Sequence, residues 1–139
     1  MKSVLIVDDM PQTLTLLTRA LESRGHVVYA AEDAATAWSI VRSHGDEIGL
    51  VLLDVTVGRT WGDELAKVLK ERMPQSRYIF MTEVDPDELR RMGRLDNSSI
   101  VLRKPFRLAH VAEAVRYSLE DHLPAEPARL EVSRPHRNS

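Results

Sequence analysis

The chain has 139 residues and a mass of 15.8 kDa, enough for one domain of ordinary size. It contains no cysteine, which excludes disulfide bonds, thiolate zinc sites and cysteine nucleophiles. Its 19 basic and 21 acidic residues give a net charge of −2, and this balance argues against a dedicated nucleic-acid-binding protein. Since no apolar run approaches the ~20 residues of a membrane span, and Asp8 and Asp9 interrupt the first run too early for a signal peptide, we expect a cytoplasmic domain.

Five short apolar runs rich in β-branched residues predict β-strands. Their apolar residues do not strictly alternate with polar ones, which is typical of strands covered on both faces of a sheet. The predicted strands cover residues 4–7, 27–30, 50–53, 78–81 and 100–102.

The segments between and after these strands have the apolar spacing of helices. The first helix is predicted to begin at Pro11 and to stop at Gly25, because proline suits the first turn and glycine the end of a helix. In the third helix we expect Leu65, Val68 and Leu69 to face the core. The second to fifth helices are predicted at about residues 34–43, 63–72, 86–92 and 108–119.

This alternation predicts an α/β fold in residues 1–120, with a parallel sheet, right-handed crossovers and helices on both faces. In such folds ligands bind beyond the carboxyl ends of the strands. Residues 121–139 contain three of the seven prolines and no apolar periodicity. We therefore expect them to form a disordered tail or linker.

Polar residues follow four of the five predicted strands, and a parallel sheet would bring them to one edge. They are Asp8 and Asp9, Asp54, Thr82 and Lys104. Three carboxylates in one pocket repel each other, and a Mg²⁺ ion with a phosphate oxygen among its ligands would compensate them. Phosphoryl transfer needs such groups. Asp54 would be the nucleophile that forms an aspartyl phosphate, Asp8 and Asp9 would hold metal, and Lys104 and Thr82 would hold the phosphoryl oxygens.

These five residues, with a proline after the lysine, resemble the receiver domain of bacterial response regulators, including the chemotaxis regulators, over about residues 2–120. The resemblance implies a doubly wound, flavodoxin-like sheet of five strands in the order 2-1-3-4-5. It implies that a histidine kinase or histidine phosphotransfer protein phosphorylates Asp54. It further implies that Asp9, Asp54 and the backbone carbonyl of Thr56 bind Mg²⁺, with Asp8 acting largely through water, and that the Lys104–Pro105 peptide bond is cis.

The sequence departs from the pattern of this family at two positions near the predicted site. Val101 replaces the usual tyrosine or phenylalanine three positions before the lysine, and a β-branched side chain cannot act as a large rotating ring. Glu83 follows Thr82 where a small residue is usual, and it would narrow the entrance and repel phosphorylated donors. We infer that the phosphoacceptor chemistry is retained while the signalling face has diverged.

Other side chains near the predicted site have less specific interpretations. Trp61 either caps the crevice or packs on the third helix. A cluster of arginines in and after the fourth helix is expected to be a solvated face; its members are Arg90, Arg91 and Arg94.

Two other functions stay open at this point. The first is a degenerate receiver that binds partners without being phosphorylated, which Val101 and Glu83 would permit. The second is a Mg²⁺-dependent phosphohydrolase with an aspartyl-phosphate intermediate, but its general acid would stand at Thr56, a poor proton donor. We expect a signalling domain rather than an enzyme, either alone or as part of a larger protein. Because no output module is evident after Leu119, we expect output by protein–protein contact and no direct binding of nucleic acid.

Overall fold

A computed structural model describes residues 2–120, so the tail predicted at residues 121–139 lies outside the described residues. The strands are β1 (Ser3–Val7), β2 (Val28–Ala31), β3 (Ile48–Asp54), β4 (Thr56–Val57), β5 (Thr60–Trp61), β6 (Arg77–Thr82) and β7 (Ile100–Arg103). The α-helices are α1 (Pro11–Glu22), α2 (Ala34–His44), α3 (Gly62–Arg72), α4 (Pro86–Arg91) and α5 (Leu108–Leu119).

Five of the strands form one parallel sheet in the order β2-β1-β3-β6-β7. This is the predicted order 2-1-3-4-5 once the two shortest strands are left out of the count, so the predicted fold is confirmed. Those two strands, β4 and β5, pair with each other in an antiparallel hairpin that the sequence analysis did not predict. Strands of two residues are too short to show a periodic pattern.

The two faces of the sheet are covered by different helices, as predicted. Along β3, Leu50 and Leu52 point into a core shared with α1 and α5. Val51 and Leu53 point the opposite way, into a core shared with α2, α3 and α4. Burial on both faces explains why this strand is a continuous apolar run. Within residues 2–120, none of the helices has the length and apolar character that crossing a bilayer requires.

The predicted inward face of α3 was wrong at Val68, which is 46% exposed. The buried residues of this helix are Gly62, Leu65, Ala66 and Leu69. Since each residue turns a helix by about 100°, these four lie on one arc and Val68 lies beside it. The small residues Gly62 and Ala66 face the sheet, and hydrophobicity alone does not reveal them.

Gly62 fixes the start of α3 against the backbone behind Asp54. Its amide donates a hydrogen bond of 2.6 Å to the carbonyl of Val55. A Cβ atom at Gly62 would collide with the carbonyl oxygen of Asp54 and would lie 3.1 Å from the Cα of Val55. Because both neighbours are backbone atoms, they cannot move aside as a flexible side chain would. The close approach of α3 to the end of β3 therefore requires glycine.

We predict that Gly62→Ala lowers the free energy of unfolding by about 1–3 kcal/mol, because the added methyl group overpacks a backbone contact. Gly45→Ala is the matched control, since its Cβ would meet the flexible side chain of Met73 at 3.3 Å. Urea unfolding followed by circular dichroism measures both. Equal losses in the two variants would contradict the assigned role of Gly62.

Candidate functional site

The carboxyl ends of four parallel strands meet at one edge of the sheet. Asp8 follows β1, Asp54 ends β3, Thr82 ends β6 and Lys104 follows β7. The amide of Lys104 donates a hydrogen bond of 2.7 Å to the carbonyl of Thr82, which fixes the last of these segments beside its neighbour. The structure thus brings together residues that are far apart in the sequence.

The side chain of Lys104 joins two of the predicted carboxylates. Its Nζ atom lies 2.6 Å from Oδ2 of Asp54 and 2.7 Å from Oδ2 of Asp8. The Lys104 side chain is only 10% exposed. The peptide bond between Lys104 and Pro105 is cis, as the resemblance implied.

Asp8 is fully buried and both of its carboxylate oxygens have partners. Oδ1 accepts a hydrogen bond of 2.9 Å from the amide of Met10, and Oδ2 accepts one from Lys104. These contacts show that Asp8 holds the side chain of Lys104 in position. Its role towards a metal through water stays a prediction.

Asp54 is 8% exposed and is held by two donors. Oδ1 accepts a hydrogen bond of 3.0 Å from the amide of Thr56, and Oδ2 accepts one from Lys104. Burial raises the pKa of Asp54 to about 6, although both hydrogen bonds act in the opposite direction. Burial also lowers the pKa of Lys104, but its hydrogen bonds to Asp54 and Asp8 outweigh that effect and the pKa is raised. At neutral pH the site therefore contains an ionised carboxylate beside an ammonium group.

A cavity of about 290 Å³ opens above Asp54. Asp9 lies at its rim, where its exposed carboxylate accepts a hydrogen bond of 3.0 Å from the amide of Gly58. The hydroxyl of Thr82 accepts a hydrogen bond of 2.9 Å from the amide of Val84 and donates one of 3.2 Å to its carbonyl. The predicted site residues that line this cavity are Asp9, Asp54, Thr56, Thr82 and Lys104.

The oxygen atoms around this cavity fit Mg²⁺ better than a transition metal. Within residues 2–120, no group of three or more histidine, aspartate or glutamate side chains forms a metal site of its own. Mg²⁺ does not need such a group, because it keeps several waters and commonly uses one or two carboxylates with a phosphate oxygen. Asp9, Asp54 and Thr56 line the cavity, so two carboxylates are present there. The backbone carbonyl of Thr56 as a further ligand stays a prediction. With Asp8 included, the acidic groups exceed Lys104 by two charges, which one divalent cation would balance.

Trp61 lines the cavity, in agreement with the first of its two predicted positions. It also directly precedes α3 and packs against the core cluster to which Leu65 and Ala66 of that helix belong. The guanidinium carbon of Arg94 lies 4.1 Å from the centre of the Trp61 ring. This contact was not predicted because it joins a two-residue strand to a turn after α4, and these segments are distant along the chain and share no periodicity.

The expectation of a solvated arginine face was correct for one residue of three. Arg91 is exposed. Arg90 is partly buried, and it donates hydrogen bonds to the side chain of Asp87 and the carbonyl of Asp96. Arg94 is stacked and ion-paired, so the expectation was wrong for Arg90 and Arg94.

The two departures from the family pattern lie in different surroundings. Val101 is fully buried in the core on the α4 side of the sheet, where it has no access to the surface. Glu83 is exposed and lines the cavity. A rotating aromatic switch is therefore absent at Val101, whereas the effect of Glu83 on donors stays a prediction.

Comparison with known proteins gives a consistent result. A family model described as the response regulator receiver domain matches residues 4–116. The chain is 31% identical over 118 residues to the sensor kinase CckA of Brucella abortus, covering 85% of this chain and 12% of CckA. It is 27% identical over 119 residues to the response regulator receiver protein CpdR of the same organism, covering 86% of this chain and 98% of CpdR.

CckA and two further curated relatives are longer than this chain. It spans 43% of the photosynthetic apparatus regulatory protein RegA of Rhodobacter capsulatus and 53% of the response regulator GtcR of Aneurinibacillus migulanus. Among solved structures, the Vibrio cholerae chemotaxis protein CheY4 has a TM-score of 0.75 at 21% identity, with 86% of this chain and 99% of that chain covered. This likeness shows the fold.

We predict that Asp54→Asn stabilises the metal-free protein more at pH 7.5 than at pH 4.5. A pKa raised to about 6 means that the folded state binds the proton more tightly than the unfolded state. The stability that Asp54 contributes is therefore complete below pH 4 and is lost as the pH rises through about 6. The difference between the two pH values should be on the order of 2 kcal/mol.

Urea unfolding in EDTA at both pH values measures this effect. Glu22→Gln is the control, because Glu22 is an exposed carboxylate at the end of α1. A difference between wild type and Asp54→Asn that is independent of pH would contradict the assigned environment of Asp54.

Proposed function

This chain belongs to the response regulator receiver domain family, a family of signalling domains, and from that membership we propose that it is a cytoplasmic phosphoacceptor in two-component signalling or a phosphorelay. A histidine kinase or histidine phosphotransfer protein donates the phosphoryl group, and Asp54 accepts it. The observation that supports this proposal best is the Asp54 carboxylate, which is oriented by Lys104 at 2.6 Å and by the amide of Thr56 at 3.0 Å.

The transfer step uses groups that are already oriented around the cavity. A carboxylate oxygen of Asp54 attacks phosphorus in line with the bond to the donor histidine nitrogen. That P–N bond breaks, its electron pair stays on the imidazole, and a P–O bond to Asp54 forms. The ammonium of Lys104 stabilises negative charge on the phosphoryl oxygens, and the Thr82 hydroxyl can donate to one of them once it releases the carbonyl of Val84.

Asp9, Asp54 and the backbone carbonyl of Thr56 would hold the Mg²⁺ ion. When bound, the ion supplies positive charge to the phosphoryl oxygens during transfer. Asp8 is fully buried and does not line the cavity. It therefore acts by holding Lys104 in position.

The donor protein would approach over an apolar groove beside the cavity. This groove has a volume of about 500 Å³ and lies between α1 and the segment that follows β7. Leu16 forms part of the wall of this groove and is 56% exposed. Met10, Glu83 and Lys104 line both the groove and the cavity, so a protein seated in the groove lies next to Asp54. Similarity to the sensor kinase CckA supports a donor from a kinase pathway.

We predict that acetyl phosphate with Mg²⁺ adds one phosphate to the wild-type protein, because Asp54 is an oriented nucleophile. The adduct should be absent from Asp54→Asn and from wild type in EDTA. Asp33→Asn is the control, since Asp33 is an exposed carboxylate that caps α2, and it should keep the adduct. Intact-mass spectrometry measures all four samples.

Each contrary result of this experiment supports a specific alternative. Wild type that gains no phosphate from acetyl phosphate or from any kinase would favour a binding module that acts without phosphorylation. An adduct that persists in Asp54→Asn would place the phosphate elsewhere. Repeated turnover of a phosphate ester would indicate a phosphohydrolase.

We also predict that Leu16→Glu slows phosphotransfer from a histidine kinase by on the order of tenfold, because a buried carboxylate disfavours docking in the apolar groove. Phosphorylation by acetyl phosphate should not change. The control is Val68→Glu, which adds the same charge at an exposed valine of α3. The donor is the catalytic core of a histidine kinase, chosen from a panel because it phosphorylates the wild-type protein. A timed gel assay measures the rate of phosphotransfer to each variant. Equal rates for the two variants would exclude the groove as the docking surface.

A further inference from the structure

The wall of the phosphoacceptor cavity includes a stacked pair of side chains that the transfer step does not use. The Trp61 indole lines the cavity together with Leu89 and Met92 of the α4 region. Trp61 is the only aromatic residue among the described residues that line this cavity. Arg94 lies over the indole, with 4.1 Å between its guanidinium carbon and the ring centre. Such a distance is well within the range of a cation–π contact.

The backbone of Arg94 is fixed at the end of α4. Gly93 adopts a φ of +78°, which ends the helix. The amide of Arg94 then donates a hydrogen bond of 2.8 Å to the carbonyl of Leu89. Leu89 is buried and itself lines the cavity, so the position of Arg94 is tied to the cavity through the helix end.

The guanidinium of Arg94 is also held by the first turn of α3. Its Nη1 atom lies 3.0 Å from Oε2 of Glu64 and 3.4 Å from Oδ1 of Asp63. The side chains of Arg94 and Asp63 are 25% and 22% exposed, so their pair is partly shielded from water, whereas the Glu64 side chain is 60% exposed. A planar group with several donors can pair with carboxylates and stack on a ring at once, which a lysine does less well. Arg94 therefore restrains the Trp61 ring between α3 and α4.

We propose that Arg94 is a positioning residue that holds Trp61 as a wall of the cavity and thereby prolongs the lifetime of phosphorylated Asp54. The proposal rests on the proposed phosphoacceptor function. Hydrolysis needs a water molecule to attack phosphorus, after which the P–O bond to Asp54 breaks, its electron pair returns to the carboxylate and inorganic phosphate leaves. An apolar ring fixed beside the phosphoryl group excludes water from one side of this reaction. A ring that moves freely allows water to reach the phosphorus atom.

The test compares Arg94→Gln and Arg94→Lys with the control Arg91→Gln, which removes the same charge from an exposed position near the end of α4. All variants carry Trp38→Phe, so that Trp61 is the one tryptophan left of the two in the chain. Acrylamide quenching of Trp61 fluorescence reports how well the ring is held. Acetyl phosphate and Mg²⁺ load the protein, and intact-mass spectrometry follows loss of the adduct after desalting.

We expect Arg94→Gln to increase the quenching constant about twofold and to shorten the adduct half-life about threefold or more, because the cation–π restraint is lost. Arg94→Lys should lie between Arg94→Gln and the parent protein, since lysine keeps the charge and loses the planar fork. Arg91→Gln should match the parent protein in both measurements.

Several results would overturn the proposal. They are an unchanged half-life in Arg94→Gln, an unchanged quenching constant, or an equal change in Arg91→Gln. If circular dichroism shows that Arg94→Gln is unfolded, Arg94→Lys and Trp61→Phe decide the question, and unchanged half-lives in both exclude the role. If the parent protein gains no phosphate, the proposed function fails and the lifetime proposal falls with it, while quenching still reports separately whether Arg94 holds Trp61.

Discussion

The ammonium of Lys104 lies between two buried carboxylates, at 2.6 Å from Asp54 and 2.7 Å from Asp8. Removing Lys104 would leave Asp54 and Asp8 as two facing carboxylates without a counter-ion in a largely dry environment, which costs far more than an exposed ion pair contributes. Because the three residues follow or end β1, β3 and β7, the contact also fixes the ends of these strands relative to one another. The position of the cavity at this edge of the sheet depends on this arrangement.

The two adjacent aspartates at the end of β1 differ in their surroundings. Asp8 is fully buried and holds the lysine, whereas Asp9 is exposed at the rim of the cavity. Consecutive residues that leave a strand point in opposite directions, so one acidic pair supplies both an internal counter-ion and an accessible carboxylate. The near-neutral charge of the whole chain therefore conceals a local excess of negative charge. That excess is the physical reason to expect a divalent cation here.

The sequence was sufficient to predict the sheet and the meeting of Asp54 with Lys104, because polar residues at the ends of parallel strands share one edge whatever the details of packing. The sequence was insufficient to predict the features that depend on side-chain packing. The buried face of α3 depends on the small residues Gly62 and Ala66, whose hydrophobicity is unremarkable, and so Val68 was assigned to the wrong side. The contact between Trp61 and Arg94 joins a two-residue strand to the turn after α4, and no period in the sequence encodes it.

The short helix α4 is tied to the site at both of its ends. At its start, the Thr82 hydroxyl is bonded to Val84, and Asp85 caps the helix by accepting a hydrogen bond from the amide of Asp87. At its end, Arg94 is stacked on Trp61. If Asp54 is phosphorylated as proposed, Thr82 must release the carbonyl of Val84 in order to donate to the phosphoryl group, which alters the start of α4 while Arg94 restrains its end. Since Val101 is buried and has no ring to move, the proposed phosphorylation of Asp54 would reach the surface through displacement of this helix rather than through an aromatic rotamer.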